Sequence, residues 1–262
     1  MQQTLAILSD IHGNLEALES VLLSLKIDNP DVIICLGDII GYGPDPNQCI
    51  SKLMELKNIY FLKGNHEDIW LGNIGIENCS DIAKQSALWT KNILSNEYKP
   101  FIEKFREELV LSGCSFYHSA PLSKGFYPYL NNLADILGSF SNSINQVSFY
   151  GHTHRPRITE KGSNYVKDNA ILETTSLVLK EDINYYINVG SVGQQRDSKT
   201  DASYAIFKIK DNMKMLEIKR IPYNHYLTYS KIRNTIGNID IANYLIREPE
   251  RRKFYEDTFN RG

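Results

Sequence analysis

Residues 4–14 read TLAILSDIHGN, a short apolar run that stops at an aspartate and a histidine. The run from Thr4 to Ser9 predicts a buried strand. Apolar residues at helical spacing follow it and end before Asn29-Pro30, so we expect a helix there. A strand, a polar cluster and a helix in this order are typical of an α/β domain, whose ligand crevice lies beyond the carboxyl ends of its strands.

Four further polar clusters follow apolar runs along the chain. They are Gly37-Asp38, GNHE (residues 64–67), Tyr117-His118 and GHTH (residues 151–154). Together with the first cluster they contain five of the six histidines, so the histidines are concentrated at predicted strand ends. A site for two metal ions requires carboxylate, imidazole and amide donors that converge from several directions. The clusters therefore predict metal-assisted hydrolysis.

The spacing within the clusters suits metal ligation. Asp10 and His12 are two residues apart, and in an extended chain such residues project to the same side. The same spacing recurs within GHTH. Asp38 has two oxygens that can bridge two cations, and Asn65 offers a neutral amide oxygen. Each residue alone has an ordinary explanation as a turn, a helix cap or a hydrogen-bonded histidine, whereas one metal site explains all of them.

The pattern along the whole chain predicts a single domain, residues 1–262. A helical insertion is expected at about 68–112 and a C-terminal helical region at about 226–262. Strand-like runs in the second half pair as hairpins, at residues 170–179, 185–189, 204–209 and 213–221. Strands that alternate with helices early and pair as hairpins later favour two mixed sheets stacked face to face, with helices outside.

Composition excludes several other classes of protein. The formal net charge of -2 gives no electrostatic reason to expect strong nucleic-acid binding. No apolar stretch approaches the roughly 20 residues of a membrane span, so no membrane partner is expected. The four cysteines are widely spaced and form no C-x-x-C pair, which suits a reducing cytoplasm. We therefore expect a cytoplasmic globular enzyme.

The order D-x-H, G-D, G-N-H-E, H and G-H-T-H resembles that of the calcineurin-like metallophosphoesterase superfamily. The strings SDIHGN (9–14), GDIIGYGP (37–44) and NVGSVG (188–193) are most similar to its small prokaryotic, phosphodiesterase-like branch. The resemblance covers nearly the whole chain. It implies an α/β fold, a four-layer α/β/β/α sandwich with a dinuclear site at one sheet edge. The chain departs from the branch at Val189 and Gln195, where proline is usual.

The resemblance also implies a role for each site residue. One metal would be held by Asp10, His12 and His154, the other by Asn65, His118 and His152, and Asp38 would bridge them. His66 resembles the family's catalytic histidine, so His66 and Asp38 are the predicted catalytic residues. The residues expected to contact substrate are Arg155, Arg196, Asn65 and Tyr42.

The function that follows is a dinuclear metal-dependent phosphoesterase. Two cations roughly 3.5–4 Å apart supply hydroxide near neutral pH for in-line attack on phosphorus. The mixed oxygen and nitrogen ligands suit manganese first, with iron, nickel and zinc also open. The expected partner is a small phosphodiester, or a nucleotide-type phosphoester or phosphoanhydride. The alternative is a non-catalytic metal-binding scaffold of the same fold that mediates protein interactions.

Overall fold

The computed structural model describes residues 2–77, 79–121, 125–141, 143–237 and 239–243. Strands and helices alternate first: β1 (Gln2–Leu8), α1 (Leu15–Asp28), β2 (Val32–Cys35), α2 (Pro46–Met54), β3 (Ile59–Phe61) and α3 (Asn65–Leu71). A helical stretch follows: α4 (Asp81–Ile93), a 3₁₀ turn (Asn96–Tyr98) and α5 (Lys99–Ile102).

The rest of the described chain is mainly β-structure. Its elements are β4 (Glu108–Leu111), β5 (Cys114–Tyr117), α6 (Leu133–Ser139), β6 (Val147–Tyr150), β7 (Arg157–Lys161), β8 (Val166–Ala170), β9 (Thr175–Leu179), β10 (Asn184–Asn188), β11 (Ala202–Lys210), β12 (Met213–Ile221), α7 (His225–Thr235) and α8 (Ile239–Asn243).

The strands form two six-stranded mixed sheets. The first has the order β3-β2-β1-β11-β12-β9, with β1, β2 and β3 parallel and the other pairs antiparallel. The second has the order β4-β5-β6-β10-β7-β8, with β5, β6 and β10 parallel. The prediction of two mixed sheets is confirmed.

Side-chain alternation along β1 shows how the sheets stack. Leu5 and Ile7 pack in the core between the two sheets, where Phe149 of the second sheet also lies. Ala6 and Leu8 face the opposite way and pack with α1 and α2 in a second apolar cluster. Successive strand residues point to opposite faces, so a fully apolar strand such as β1 is covered on both sides.

The outer face of the second sheet is covered by α6. Ile136 and Phe140 pack there against Tyr150 of β6 and Tyr186 of β10. Helices therefore flank both sheets, which gives the four layers α/β/β/α.

Two local predictions differ from the structure. The strand expected at 170–179 is shorter, because only Thr175–Leu179 form β9, and Ala170 is the last residue of β8 in the other sheet. No glycine or proline marks the break between them. The predicted insertion at 68–112 is helical only as far as Ile102, because its last residues form β4 and pair with β5. Strand β7 was not predicted, since its sequence RITEK is too polar to stand out.

The C-terminal helical region contains α7 and α8, and the remainder of the predicted region, residues 244–262, lies outside the described residues. None of the helices that the structure describes has the length and apolar character needed to cross a bilayer.

Phe149 tests the inter-sheet core. Its ring is fully buried and lies 5.3 Å from the rings of both Phe116 and Phe207. We expect Phe149→Ala to lower the free energy of unfolding by about 3–5 kcal/mol in urea titration, because it leaves a cavity. The matched change at Phe126, which is 70% exposed, should alter it by less than about 1 kcal/mol. Equal effects at both positions would contradict this description of the core.

Candidate metal centre

The predicted donors converge at the carboxyl ends of parallel strands in both sheets. Two clusters of potential ligands have donor atoms within 4.8 Å of one another, and their members are buried. We call them the first group, Asp10, His12 and His154, and the second group, Asp38, His118 and His152. A further cluster joins His12 and Asp38 to His66. Asn65 begins α3 beside His66.

In the first group, three side chains aim donor atoms at a common point. Nε2 of His154 lies 3.2 Å from Oδ1 of Asp10 and 3.1 Å from Nε2 of His12. Ligands bound about 2.0–2.2 Å from one cation are separated by distances of this order. The spacing therefore fits a shared metal ion.

The second group repeats this geometry across the sheet edge. Nε2 of His118 lies 3.3 Å from Oδ2 of Asp38 and 3.2 Å from Nδ1 of His152. The same Oδ2 is 3.8 Å from Nε2 of His12 in the first group. Asp38 therefore lies between the two groups.

Backbone carbonyls fix which nitrogen of each imidazole faces the centre. A carbonyl oxygen only accepts, so the ring nitrogen that contacts it carries the proton and leaves the inner nitrogen with its lone pair. The four donations are from His12 Nδ1 to Ile40 O (3.0 Å), His118 Nδ1 to Leu36 O (3.1 Å), His154 Nδ1 to Gln194 O (2.5 Å) and His152 Nε2 to Tyr127 O (3.1 Å). Four ring nitrogens consequently face the centre, and each presents a lone pair when its imidazole is neutral.

Oxygen atoms at the centre are left without hydrogen bonds. Oδ1 of Asp10 and Oδ1 of Asn65 are buried and have no hydrogen-bond partner. The remaining oxygen of Asp10 accepts from the backbone N–H of His152 at 3.0 Å, and Oδ1 of Asp38 accepts from that of His66 at 2.9 Å. Buried acceptors without donors are costly unless a cation satisfies them, so the donor set fits metal binding.

Burial and neighbouring charges shift the pKa values of these groups. Burial raises the pKa of both carboxyls, yet the adjacent imidazoles outweigh it and hold the pKa of Asp10 and Asp38 below the usual range. Burial lowers the pKa of His152 to about 3. It also lowers that of His118, but the Asp38 carboxylate raises the pKa of His118 to about 9. Metal binding would release this proton.

The backbone differs from the extended form expected of these clusters. Five donor residues have φ between 49° and 63°, in the left-handed region: Asp10, His12, Asp38, His152 and His154. This conformation costs a non-glycine residue about 1–2 kcal/mol. Hydrogen bonds between the strand-end loops hold it, including Asp10 N–H to Gly37 O at 3.0 Å and His12 N–H to Asp38 O at 2.9 Å.

Comparison with known proteins identifies the family. A model of the calcineurin-like phosphoesterase superfamily domain matches residues 4–212. The chain belongs to this superfamily. A protein of Methanocaldococcus jannaschii described as uncharacterized is 35% identical over 236 residues, which are 88% of this chain and 93% of that protein. The crystal structure of a metallophosphoesterase from Sphaerobacter thermophilus has a TM-score of 0.79 and 27% identity, over 94% of this chain and 98% of the other.

Two glycines let the phosphoesterase chain pass close to its carboxylates. A Cβ at Gly64 would lie 2.2 Å from Oδ1 of Asp38, and a Cβ at Gly151 would lie 2.5 Å from Oδ2 of Asp10. Any side chain at either position would displace a carboxylate from the centre.

Glu67 braces the bridging loop of the phosphoesterase. Its Oε2 accepts from the N–H groups of Asp38 (2.8 Å) and Gly64 (2.9 Å), and its Oε1 accepts from those of Ile39 (2.8 Å) and Ile40 (3.3 Å). The sequence left open whether Glu67 is a supporting residue or only a helix-start glutamate. It lies in the first turn of α3 and also fixes the loop that presents Asp38.

The imidazole of His66 lies beside the first group. Its ring centroid is 4.9 Å from that of His12 and 4.8 Å from that of Tyr42, and the side chain is buried. Gly41 gives it room, since a Cβ there would lie 2.2 Å from Nδ1 of His66. The two rings and the loop fix the orientation of this imidazole.

The residues expected to contact substrate do not share one position, because Arg196 and Tyr42 contact each other and Arg155 is exposed. Arg196 lies over the ring of Tyr42, with its Cζ 5.9 Å from the ring centroid. Tyr42 is only 8% exposed and packs edge-on against His12, so one edge of its ring is already occupied. Arg155 is exposed, and its Nε donates to the backbone carbonyl of Arg196 at 3.0 Å. Arg155 therefore contacts the loop rather than the centre.

Several supporting residues were not predicted. Ser191 Oγ donates to the carbonyl of Asp10 at 2.7 Å, and Asn188 Nδ2 donates to Gly151 O at 2.8 Å and to Thr153 Oγ1 at 3.0 Å. Their only signal in the sequence was the string NVGSVG, which ties the loop after β10 to the loops after β1 and β6.

Glu67→Gln tests the brace. A glutamine amide nitrogen would face backbone N–H donors that now meet an oxygen, so we expect the free energy of unfolding of the metal-free protein to fall by about 1–3 kcal/mol. Urea titration measures this, with Glu55→Gln at an exposed position as the matched control. An unchanged midpoint for Glu67→Gln would show that these four contacts do not stabilise the loop.

Proposed function

We propose that this phosphoesterase holds two divalent metal ions and hydrolyses a phosphodiester, or a nucleotide-type phosphoester or phosphoanhydride. Asp10, His12 and His154 hold one ion, and Asn65, His118 and His152 hold the other, with Asp38 bridging. The observation that carries the proposal is the set of buried, inward-facing lone pairs and oxygens that find no protein donor. Family membership supports the same reaction class.

Manganese is the proposed native metal. The donor set mixes carboxylate and amide oxygens with imidazole nitrogens, which suits manganese, iron, nickel or zinc. No thiolate belongs to the clusters found among the described residues, and this disfavours a softer metal.

The side chains around the centre divide the work of hydrolysis. When bound, the two ions supply a nucleophilic water near neutral pH and neutralise charge on the phosphoryl oxygens. His66 donates a proton to the departing oxygen or a hydrogen bond to the reacting phosphoryl group, a role worth about 10²–10⁴ in rate. Burial lowers its pKa, and the contacts with His12 and Tyr42 hold its ring in place.

The experiment that tests the function is metal-dependent release of nitrophenol from bis-(p-nitrophenyl) phosphate, compared with the mono-ester. We expect no release from chelator-treated protein and full restoration by Mn²⁺. A non-catalytic scaffold of the same fold would take up metal and yet release nitrophenol no faster than buffer. Tight metal binding without turnover of either ester, across Mn²⁺, Fe²⁺, Ni²⁺ and Zn²⁺, would contradict the proposal.

Asp38→Asn tests the bridging role. Because one side chain serves both ions, we expect the variant to retain fewer metal ions per chain after dialysis than the wild type, and to lose activity. Elemental analysis by mass spectrometry measures the metal content, with Asp182→Asn on the exposed surface as control. Full occupancy in Asp38→Asn would remove Asp38 from the ligand set.

His66→Gln tests the separate role of the catalytic imidazole. We expect kcat to fall about 10²–10⁴-fold while the metal content stays at the wild-type value. His225 is the sixth histidine and lies against Tyr226, outside the candidate metal centre. His225→Gln should therefore leave both kcat and the metal content at their wild-type values. If His66→Gln emptied the centre, His66 would be a ligand instead.

A further inference from the structure

We propose that Arg196 binds a second phosphate group of the substrate, so that the enzyme prefers compounds in which two phosphates are linked as an anhydride. This inference rests on the proposed function, since it concerns what lies beside the reacting phosphate. It starts from a cavity at the edge of the candidate metal centre.

The cavity has a volume of about 220 Å³ and is lined by Tyr42, Ser80, Ile82, Tyr129, Gln194 and Arg196. Pockets that enclose a whole small molecule measure about 300–1,000 Å³, so this one suits a single group of a ligand. A larger groove, of about 550 Å³, lies between α1 and α2, and it is lined by none of the residues that contact the site histidines. The smaller cavity adjoins the candidate metal centre, because Tyr42 and Tyr129, which line it, contact His12 and His152.

Two tyrosines connect the cavity to both halves of the centre. The ring of Tyr42 contacts His12, with centroids 4.9 Å apart, on the side of the first group. The ring of Tyr129 lies 4.2 Å from that of His152 in the second group. A group bound in this cavity is thus one aromatic ring away from either proposed metal ion.

The guanidinium of Arg196 has hydrogen-bonding capacity to spare. Its Nε is buried without a partner, its Nη2 donates to Oε1 of Gln194 at 3.0 Å, and its Nη1 reaches the Tyr129 hydroxyl only at 3.5 Å. Both side-chain partners are neutral.

No carboxylate forms an ion pair with Arg196 within the part of the chain that the structure describes. The adjacent Asp197 is engaged by Arg220, at 2.9 Å. A half-buried cation without a counter-ion is less stable than a paired one, and a guanidinium fork matches the oxygens of a phosphate. Arg196 can therefore bind an anionic group of a ligand.

The position of Tyr42 indicates which phosphate this is. Its ring contacts His12 and His66, and it also contacts the Arg196 guanidinium. The Tyr42 centroid lies 4.8 Å from that of His66 and 5.9 Å from Cζ of Arg196, so a phosphate held beside His66 is about the width of a ring from Arg196. The neighbouring phosphate of an anhydride can cross this gap, whereas a second oxygen of the same phosphate is too close to the first.

The test compares ligands that differ by one phosphorus atom. With Mn²⁺ in excess, methylenediphosphonate and methylphosphonate are measured as competitive inhibitors of bis-(p-nitrophenyl) phosphate hydrolysis. The variants are Arg196→Gln, which removes the charge, and Arg196→Lys, which keeps the charge but loses the fork. Lys208→Gln is the charge-matched control, because Lys208 is exposed and pairs with Thr4, six residues before Asp10 and thus roughly 20 Å away along β1.

We expect the wild type and Lys208→Gln to bind the diphosphonate about 10–100-fold more tightly than the monophosphonate, the range expected of a charge-assisted hydrogen bond. Arg196→Gln should abolish this preference, so that the two phosphonates inhibit equally, and Arg196→Lys should be intermediate. Thermal unfolding midpoints show whether each variant is folded.

Two results would overturn the inference. One is a wild type that binds both phosphonates equally. The other is an Arg196→Lys or Arg196→Gln variant that loses one-phosphorus ester hydrolysis in the same proportion as diphosphonate binding, which would put Arg196 on the reacting phosphate. Either result leaves the metal-dependent esterase activity of the wild type intact, so the proposed function stands. Absence of all phosphoester hydrolysis in the metal-loaded wild type would instead sink both.

Discussion

Two buried carboxylates impose the constraint on which the rest of this site depends. Asp10 and Asp38 are 0% and 1% exposed, and each lies among imidazoles at a sheet edge. An ionised carboxylate in such a place costs several kcal/mol unless positive charge or hydrogen bonds compensate. One oxygen of each accepts from a backbone N–H. Oδ1 of Asp10 has no hydrogen-bond partner, and Oδ2 of Asp38 lies 3.3 Å from Nε2 of His118. The proposed pair of divalent cations would balance this arrangement, and without metal the protein balances it through protons such as that on His118.

The fold serves this constraint by bringing parallel strand ends of two sheets to one edge. Strands β1 and β2 deliver the donors of one sheet, and β5 and β6 deliver those of the other. The chain then turns at residues whose backbone lies in the left-handed region. This conformation directs their side chains toward the candidate metal centre, whereas a continuing strand would direct them elsewhere. Backbone strain of this kind persists only where surrounding contacts enforce it. Here the contacts come from Glu67, which accepts from the N–H of Asp38, and from Ser191, which donates to the carbonyl oxygen of Asp10.

The sequence predicted the site best where a potential metal ligand directly follows a recognisable strand pattern. A run such as TLAIL is apolar on both faces and ends at Asp10, so strand, sheet edge and donor were all readable from it. Left-handed backbone at Asp10 and His12 could not be read, because it depends on hydrogen bonds to the loop after a different strand. The break between β8 and β9 was missed for a similar reason, since the chain changes sheet there with no glycine or proline to mark it. The positions of Arg155 and Arg196 could not be predicted from their closeness in sequence to a motif. They depend on side-chain packing between loops that are distant in the sequence.

The central claim is that two metal ions share Asp38, and crystals grown with Mn²⁺ test it most directly. Anomalous-difference maps should contain two peaks roughly 3.5–4 Å apart, one beside His12 and His154 and the other beside His118 and His152. Oδ2 of Asp38 should contact both. A single peak, or two peaks of which only one touches Asp38, would contradict the account.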